Sequence, residues 1–311
     1  MRIVSLLPSA TEIAFALGLG EQVLAVSHEC DYPPEARAKP VLVRCVFDPS
    51  TMTPREIDAT VRSLVGHGLP IYRLEHQLLE ELRPDLVLTQ GLCEVCAVPQ
   101  RIVHQEIQSL CPPPRLLSLD PHSLEGMLED ILRVGEATST LPRATALVNS
   151  LRQRIGDIGE KGQRVPYRPR VVCLEWLDPL IVAGHWVPQM VALAGGDDAL
   201  GRAGLPSFTV SWQQVVEARP DVLVLMPCGF TAQQAARQVS LLARLPGWNH
   251  LPAVLQGRVW ACNAHAYYSR PGPRLVKGLE MLAQILHPEA FQGFLEDEHA
   301  LPIALQAPVS R

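Results

Sequence analysis

Short runs rich in Val, Ile and Leu alternate along the chain with longer stretches in which apolar residues recur every three or four positions. The short runs fit strands buried on both faces of a parallel sheet, and the longer stretches fit the helices that cover them. Seven strands are expected, at Ile3–Leu7, Val23–Ser27, Leu86–Thr89, Leu116–Leu119, Val171–Leu174, Val222–Leu225 and Arg258–Ala261. The fold class is therefore α/β. After Pro8, Ser9 and Glu12 have the spacing of a capping box for a first helix, and Gly18 or Gly20 supplies its stop.

The chain also repeats itself. Glu81-Leu82-Arg83-Pro84-Asp85-Leu86-Val87-Leu88 returns as Glu217-Ala218-Arg219-Pro220-Asp221-Val222-Leu223-Val224, and Arg2-Ile3-Val4-Ser5-Leu6 is echoed by Arg170-Val171-Val172-Cys173-Leu174. In each Arg-Pro-Asp the proline ends a helix and the aspartate opens a central strand. Two similar lobes follow from this. Arg2 and Asp85 are 83 residues apart and Arg170 and Asp221 only 51, so the first lobe carries about 32 extra residues, expected within Val43–Leu74. Between the lobes, Ser123–Ala137 reads as one helix. A second follows Thr140 and Pro142, with Ala144, Leu147, Val148, Leu151 and Ile155 at helical spacing. Gly159, Gly162, Pro166 and Pro169 mark a linker. The expected organisation is an N-terminal α/β lobe over 1–121, a helical connector over 122–165 and a C-terminal α/β lobe over 166–311. Such a connector predicts modest lobe motion.

Length supports the same division, since 311 residues suffice for two domains with their own cores. Charge narrows the partners: 27 basic against 32 acidic residues give net −5, which argues against nucleic acid or anionic lipid. No apolar run approaches the roughly 20 residues of a membrane span. Arg2 and Ile3–Leu7 imitate the start of a secretory leader, but Pro8, Ser9, Thr11 and Glu12 interrupt it early. Eight cysteines scattered over a large chain suggest reduced thiols more than a disulfide framework. A cytoplasmic location is the resulting expectation, or a periplasmic one if a leader has been removed.

In an open parallel sheet, ligands sit beyond the carboxyl ends of the strands. Those ends lead to Ser5–Ser9, His28–Pro34 and Gln90–Cys96 in the first lobe. In the second they lead to Glu175–Asp178, Gly184–Trp186, Pro227–Phe230 and Cys262–Arg270. Aromatic residues are only 5% of the chain, yet Trp176, Trp186, Tyr267 and Tyr268 fall in these second-lobe segments and Tyr32 in the first. The enzyme signatures are missing: there is no phosphate-binding Gly-x-x-x-x-Gly-Lys-Ser/Thr and no Gly-x-Ser-x-Gly. Gly18-Leu19-Gly20 follows a helix, the wrong context for a dinucleotide.

Val4-Ser5-Leu6-Leu7-Pro8-Ser9-Ala10-Thr11-Glu12, the Asp31-Tyr32-Pro33-Pro34 turn, the doubled Arg-Pro-Asp and the Ser269–Arg274 stretch resemble the cobalamin-type periplasmic binding proteins, which hold corrinoids, haem or ferric siderophores. The resemblance spans nearly the whole chain. It implies two Rossmann-like lobes with parallel sheets joined by a single long helix, with the ligand in the cleft between them and no catalysis. It also implies cobalamin as ligand, with haem or a ferric siderophore as the alternative. Tyr32 matches a corrinoid-touching tyrosine, and the other aromatic contacts fall near Tyr72, Trp176 and Phe208. His185, Trp186, Tyr267 and Tyr268 complete the expected set. The family's acidic contact in the last loop has no counterpart, which leaves Asn263 and His265 as polar substitutes. Members that feed an ABC permease carry a glutamate seven residues before each Arg-Pro-Asp proline, where this chain has Gln77 and Gln213. That departure disfavours a permease partner and points to an intracellular binding protein.

A different reading rests on thiols. His28, Cys30, Cys93 and Cys96 supply a ligand set for tetrahedral zinc or for iron, with Cys45 nearby in sequence. Alternatively, Cys93-x-x-Cys96 is a redox pair if Pro99–Ser109 is helical. Imidazoles at His28, His185 or His265 are also candidates to ligate the metal of a bound macrocycle.

Overall fold

A computed structural model describes residues 1–91, 98–296 and 298–304, and these divide into two compact units. Residues 1–121 and 125–150 form the first, and residues 122–124 and 151–311 the second.

The first unit is built from β1 (Ile3–Ser5), α1 (Pro8–Ala16), β2 (Val23–Ser27), β3 (Val41–Cys45), α2 (Pro54–Gly66), β4 (Tyr72–Leu74), α3 (His76–Leu82), β5 (Leu86–Thr89), α4 (Gln100–Gln108), β6 (Arg115–Ser118) and α5 (Leu124–Ala137). Its strands lie in the order β4-β3-β2-β1-β5-β6, parallel except for β4 against β3. β1 and β5 are buried along their whole length, because helices cover both faces of the sheet's centre. The first unit's additional elements, β3, α2 and β4, fall between β2 and α3, around the Val43–Leu74 stretch.

α6 (Leu141–Gln163) starts in the first unit and ends in the second. Gly159 and Gly162, expected in a linker, are instead in its last turns. Gly162 is needed there because a side chain would strike the carbonyl of Leu193. Arg154 in the second half of α6 grips Glu280 with two parallel bonds of 2.7 and 2.8 Å, fork against carboxylate.

The second unit continues with β7 (Arg170–Leu177), β8 (Leu180–Val182), α7 (Val187–Leu193), β9 (Asp197–Asp198), β10 (Phe208–Thr209), α8 (Trp212–Ala218), β11 (Val222–Leu225), α9 (Ala232–Arg237), α10 (Val239–Ala243), α11 (Pro252–Leu255), β12 (Val259–Cys262), α12 (Ala264–Tyr267), α13 (Leu275–Leu286) and β13 (Ala300–Pro302). The sheet order is β10-β8-β7-β11-β12-β13, with β9 beside β7. Its centre is parallel. β8, β10 and β13 run antiparallel to their neighbours, which the sequence pattern did not disclose.

The two copies of the repeat have the same geometry. In the first, the backbone N–H of Arg2 donates to Asp85 Oδ2 (2.7 Å), the N–H of Asp85 donates to the Arg2 carbonyl (2.8 Å), and Arg2 Nε donates to the Leu82 carbonyl (2.9 Å). In the second, Arg170 N–H donates to Asp221 Oδ2 (2.8 Å), Asp221 N–H to the Arg170 carbonyl (2.8 Å), and Arg170 Nε to the Ala218 carbonyl (2.9 Å). Each arginine thus satisfies a helix-terminal carbonyl while its own backbone starts the strand. Ile3 then faces Leu86, and Val171 faces Val222. The residue before each proline, Arg83 or Arg219, closes its helix in the left-handed region at φ 41° and 45°. Each helix thus ends just before the arginine that its proline excludes from helical geometry.

One local expectation fails. α1 has Leu7 at its N-cap with no side-chain cap, because Pro8 takes the first helical position and carries Ser9 and Glu12 inside the helix, both buried. Gly18, at φ 76°, provides the stop.

Asp221 also accepts from the Tyr167 hydroxyl at 2.6 Å, a bond without a counterpart at Asp85. Asp221→Ala should therefore cost about 1–3 kcal/mol of stability and Asp85→Ala less. Urea unfolding followed by circular dichroism, with Tyr167→Phe as the intermediate case, checks this. An equal or greater loss in Asp85→Ala would contradict it.

Candidate functional site

The strands of the second unit end at a rim where the segments after β7, β11 and β12 come together. Trp176 is held at the end of β7 by a bond from its indole Nε1 to the Asp178 carbonyl (3.1 Å) and meets Phe230 edge to face, with ring centres 5.6 Å apart. Phe230 follows β11, and its carbonyl accepts from the N–H of His265 (3.1 Å), which joins the loops after β11 and β12. His265 lies 2.8 Å from Nη2 of Arg270, a guanidinium that is only 6% exposed. A half-buried ring pair is thus linked through His265 to a buried permanent cation.

The other expected residues divide by their partners. Trp186 and Tyr268 are 5% and 3% exposed: the indole of Trp186 donates to the Tyr268 carbonyl (2.8 Å), and the Tyr268 hydroxyl donates to the Gly278 carbonyl (3.0 Å). Both rings are engaged in packing, and burial pushes the Tyr268 hydroxyl well above its ordinary pKa. Tyr267 hydrogen-bonds His299 Nε2 at 2.8 Å, with the Arg274 guanidinium 5.7 Å from its ring centre. Asn263 caps α12 by accepting from the N–H of Ala266 (3.0 Å). Phe208 is half-buried on β10 beneath the guanidinium of Arg202, 4.7 Å from its centre.

His185 occupies the left-handed region at φ 51°. Its ring centre is 5.6 Å from Trp186 and 5.8 Å from His122, and burial, followed by the charge of His122, holds its pKa below the ordinary histidine value. Beside it, Glu175 accepts from Ser207 Oγ (2.8 Å), and that same oxygen accepts from the N–H of Gly184 (3.1 Å). The residue as a whole is half-buried but its carboxyl is enclosed, so desolvation raises its pKa against the opposing effect of Ser207.

In the first unit, Tyr32 is 44% exposed just before a cis bond to Pro33, and Tyr72 on β4 stands 6.1 Å from the ring of His28. His28 Nδ1 donates to the Val43 carbonyl (3.1 Å). Cys30 is buried, with its sulfur 3.1 Å from the Thr11 hydroxyl. Cys93 and Cys96 lie outside the described residues, so the thiol quartet is represented only by His28 and Cys30, whose side chains take different partners. Among the described residues no three His, Cys, Asp or Glu side chains form a metal-ligating group. Of the other thiols, Cys173 and Cys262 are deeply buried, and desolvation pushes Cys262 up to about 12, which leaves it an unreactive thiol.

Comparison with known proteins settles the lineage. The family described as periplasmic binding protein matches residues 3–266. The chain belongs to the periplasmic binding protein family. Among this family's members, it is 26% identical to the vitamin B12-binding protein of Vibrio cholerae over 305 residues, 92% of this chain and 88% of the relative. It is 26% identical to the uncharacterized ABC transporter substrate-binding lipoprotein YvrC of Bacillus subtilis, covering 94% of this chain and 81% of the relative. In structure it resembles the apo periplasmic heme-binding protein RhuT of Roseiflexus sp. RS-1, with a TM-score of 0.69, 27% identity, and coverage of 93% of this chain and 98% of that one. These findings overturn the expected cytoplasmic location: the periplasmic binding protein family, a lipoprotein relative and a periplasmic structural neighbour all point outside the cytoplasm. An interrupted apolar start and scattered cysteines are local features, and neither depends on the fold that relates this chain to its family.

Four residues of this rim escaped the sequence reading as site candidates: Phe230, Arg270, Glu175 and His122. The first three lie in loops recognised as strand ends, but only contacts distinguish Phe230 from other loop residues. For His122 the sequence held no signal, because its neighbour His185 is 63 positions away.

A carboxyl whose folded pKa is raised destabilises the fold as pH climbs from the ordinary carboxylate pKa to the raised one. Glu175→Gln keeps an acceptor for Ser207 and removes that loss. Its melting temperature should exceed that of the parent at pH 8 and not at pH 4.5, as followed by circular dichroism. A pH-independent difference would refute this.

Proposed function

We propose that the chain is the substrate-binding component of an ABC importer and holds a corrinoid, cobalamin in the first instance, without transforming it. The observation that carries this reading is the second unit's rim, where Trp176 and Phe230 offer apolar ring surface and Arg270 with His265 offers fixed donors. Flat rings suit a broad macrocycle by burying its faces, and a few polar groups orient it. The vitamin B12-binding relative supports the corrinoid. Haem is the second reading, favoured by the likeness to the heme-binding structure and by the imidazole of His265, which suits iron. Tyr32, Tyr72, Phe208 and Tyr267 are proposed as further ligand contacts, with Asn263 contributing through the placement of α12.

The permease partner is part of the same proposal. Gln77 on α3 and Gln213 on α8 are uncharged, yet each donates to a glutamate one turn later, Glu81 at 3.2 Å and Glu217 at 2.9 Å. Both units therefore present an exposed carboxylate on the corresponding helix.

Purified protein should be stabilised against heat by cyanocobalamin or by haemin, with a shift in the ligand's visible spectrum. Trp176→Ala should weaken the bound ligand at least ten-fold, about 1.4 kcal/mol, and Tyr32→Ala by a smaller factor. Failure of every corrinoid, haem and ferric siderophore to stabilise the protein would refute the reading.

A further inference from the structure

The second unit contains a pair of imidazoles that the chelate reading does not need. His122 precedes α5 and His185 follows β8, and their ring centres are 5.8 Å apart with planes tilted by 40°. Given metal–nitrogen bonds of about 2.0–2.1 Å, two imidazoles on one metal have ring centres roughly 4.5 to 6.5 Å apart as the angle between the bonds opens, and this pair falls inside that range. His185 Nδ1 is shut off from solvent and has no hydrogen-bond partner. His185 also holds a left-handed backbone at φ 51°, a conformation uncommon for any residue but glycine. The backbone is tied in that conformation from both sides: His185 N–H donates to the Leu205 carbonyl (2.7 Å), and Gly204 N–H donates to the His185 carbonyl (2.8 Å). A left-handed backbone and an orphaned ring nitrogen thus belong to a histidine with a second imidazole as its neighbour.

We propose that His122 and His185 form a binding site for a free borderline divalent cation, Cu2+ before Zn2+, with water completing the coordination shell. Imidazole nitrogen is the preferred donor for these ions, and affinity for such a donor pair is greater for Cu2+ than for Zn2+. The site takes the ion itself and is separate from recognition of a chelate.

Trp186 reports on the site, because its ring centre is 5.6 Å from that of His185 and bound Cu2+ quenches nearby indole emission. Titration of the full chain with Cu2+ at pH 7.5, without any corrinoid or haem, should give one-equivalent quenching and a matching calorimetric isotherm. Zn2+ should compete without quenching. His122→Gln, at an exposed position, and His185→Asn, which tolerates the left-handed backbone, should each weaken Cu2+ at least ten-fold while the melting temperature holds. A control at His250 should leave binding unchanged. Undiminished quenching in the His122→Gln/His185→Asn double variant, or no quenching in the parent, would overturn the proposal. Chelate binding measured on the same variants is a separate readout, so either reading can fail alone.

Discussion

Everything above the strand ends depends on the bond between a backbone N–H and an aspartate that opens the neighbouring strand. Arg2 with Asp85 and Arg170 with Asp221 fix the register of β1 on β5 and of β7 on β11. A slip of one residue in a strand exchanges its two faces. Because these strands are buried on both faces, the slip would not be punished by exposure, so hydrophobic pattern alone specifies register weakly here. The aspartate supplies the missing specification. It acts at the amino end of the strands, and its effect appears at the opposite end, where Trp176 and the loops after β11 and β12 emerge.

Much of this architecture was legible in the chain because the repeat carried both a pattern and a mechanism. Val23–Ser27, Leu86–Thr89 and Val222–Leu225 are strands over the ranges their apolar runs suggested. β8, β10 and β13 were not legible, since strands of two or three residues have too few positions to show a period. The first helix misled for a related reason: Ser9 and Glu12 fit a capping box by spacing, but Pro8 claims the first helical position and displaces them inward. Working capping boxes lie elsewhere, at Thr53 with Glu56, Ser211 with Gln214 and Thr231 with Gln234.

At the rim, sequence named the strand-end loops and gave no means of sorting their side chains. Trp186 and Trp176 look equivalent in sequence, both just past a strand. In the fold the first donates to a buried carbonyl while the second stands half-buried against Phe230. The difference lies in whether the indole N–H finds a partner beneath the surface or along its own loop, which no local pattern encodes. The same holds for His122 and His185, brought together only by tertiary packing.

The outermost strands have a consequence for the chain before and after it folds. A bare strand edge is a template for pairing with another copy. Here the edges are short and carry residues that spoil such pairing: Arg73 on β4, Arg115 on β6 and Pro302 on β13, while β10 has only two residues. A sheet that ends in guanidinium or proline does not grow. Such edges keep two largely apolar sheets from seeding aggregates.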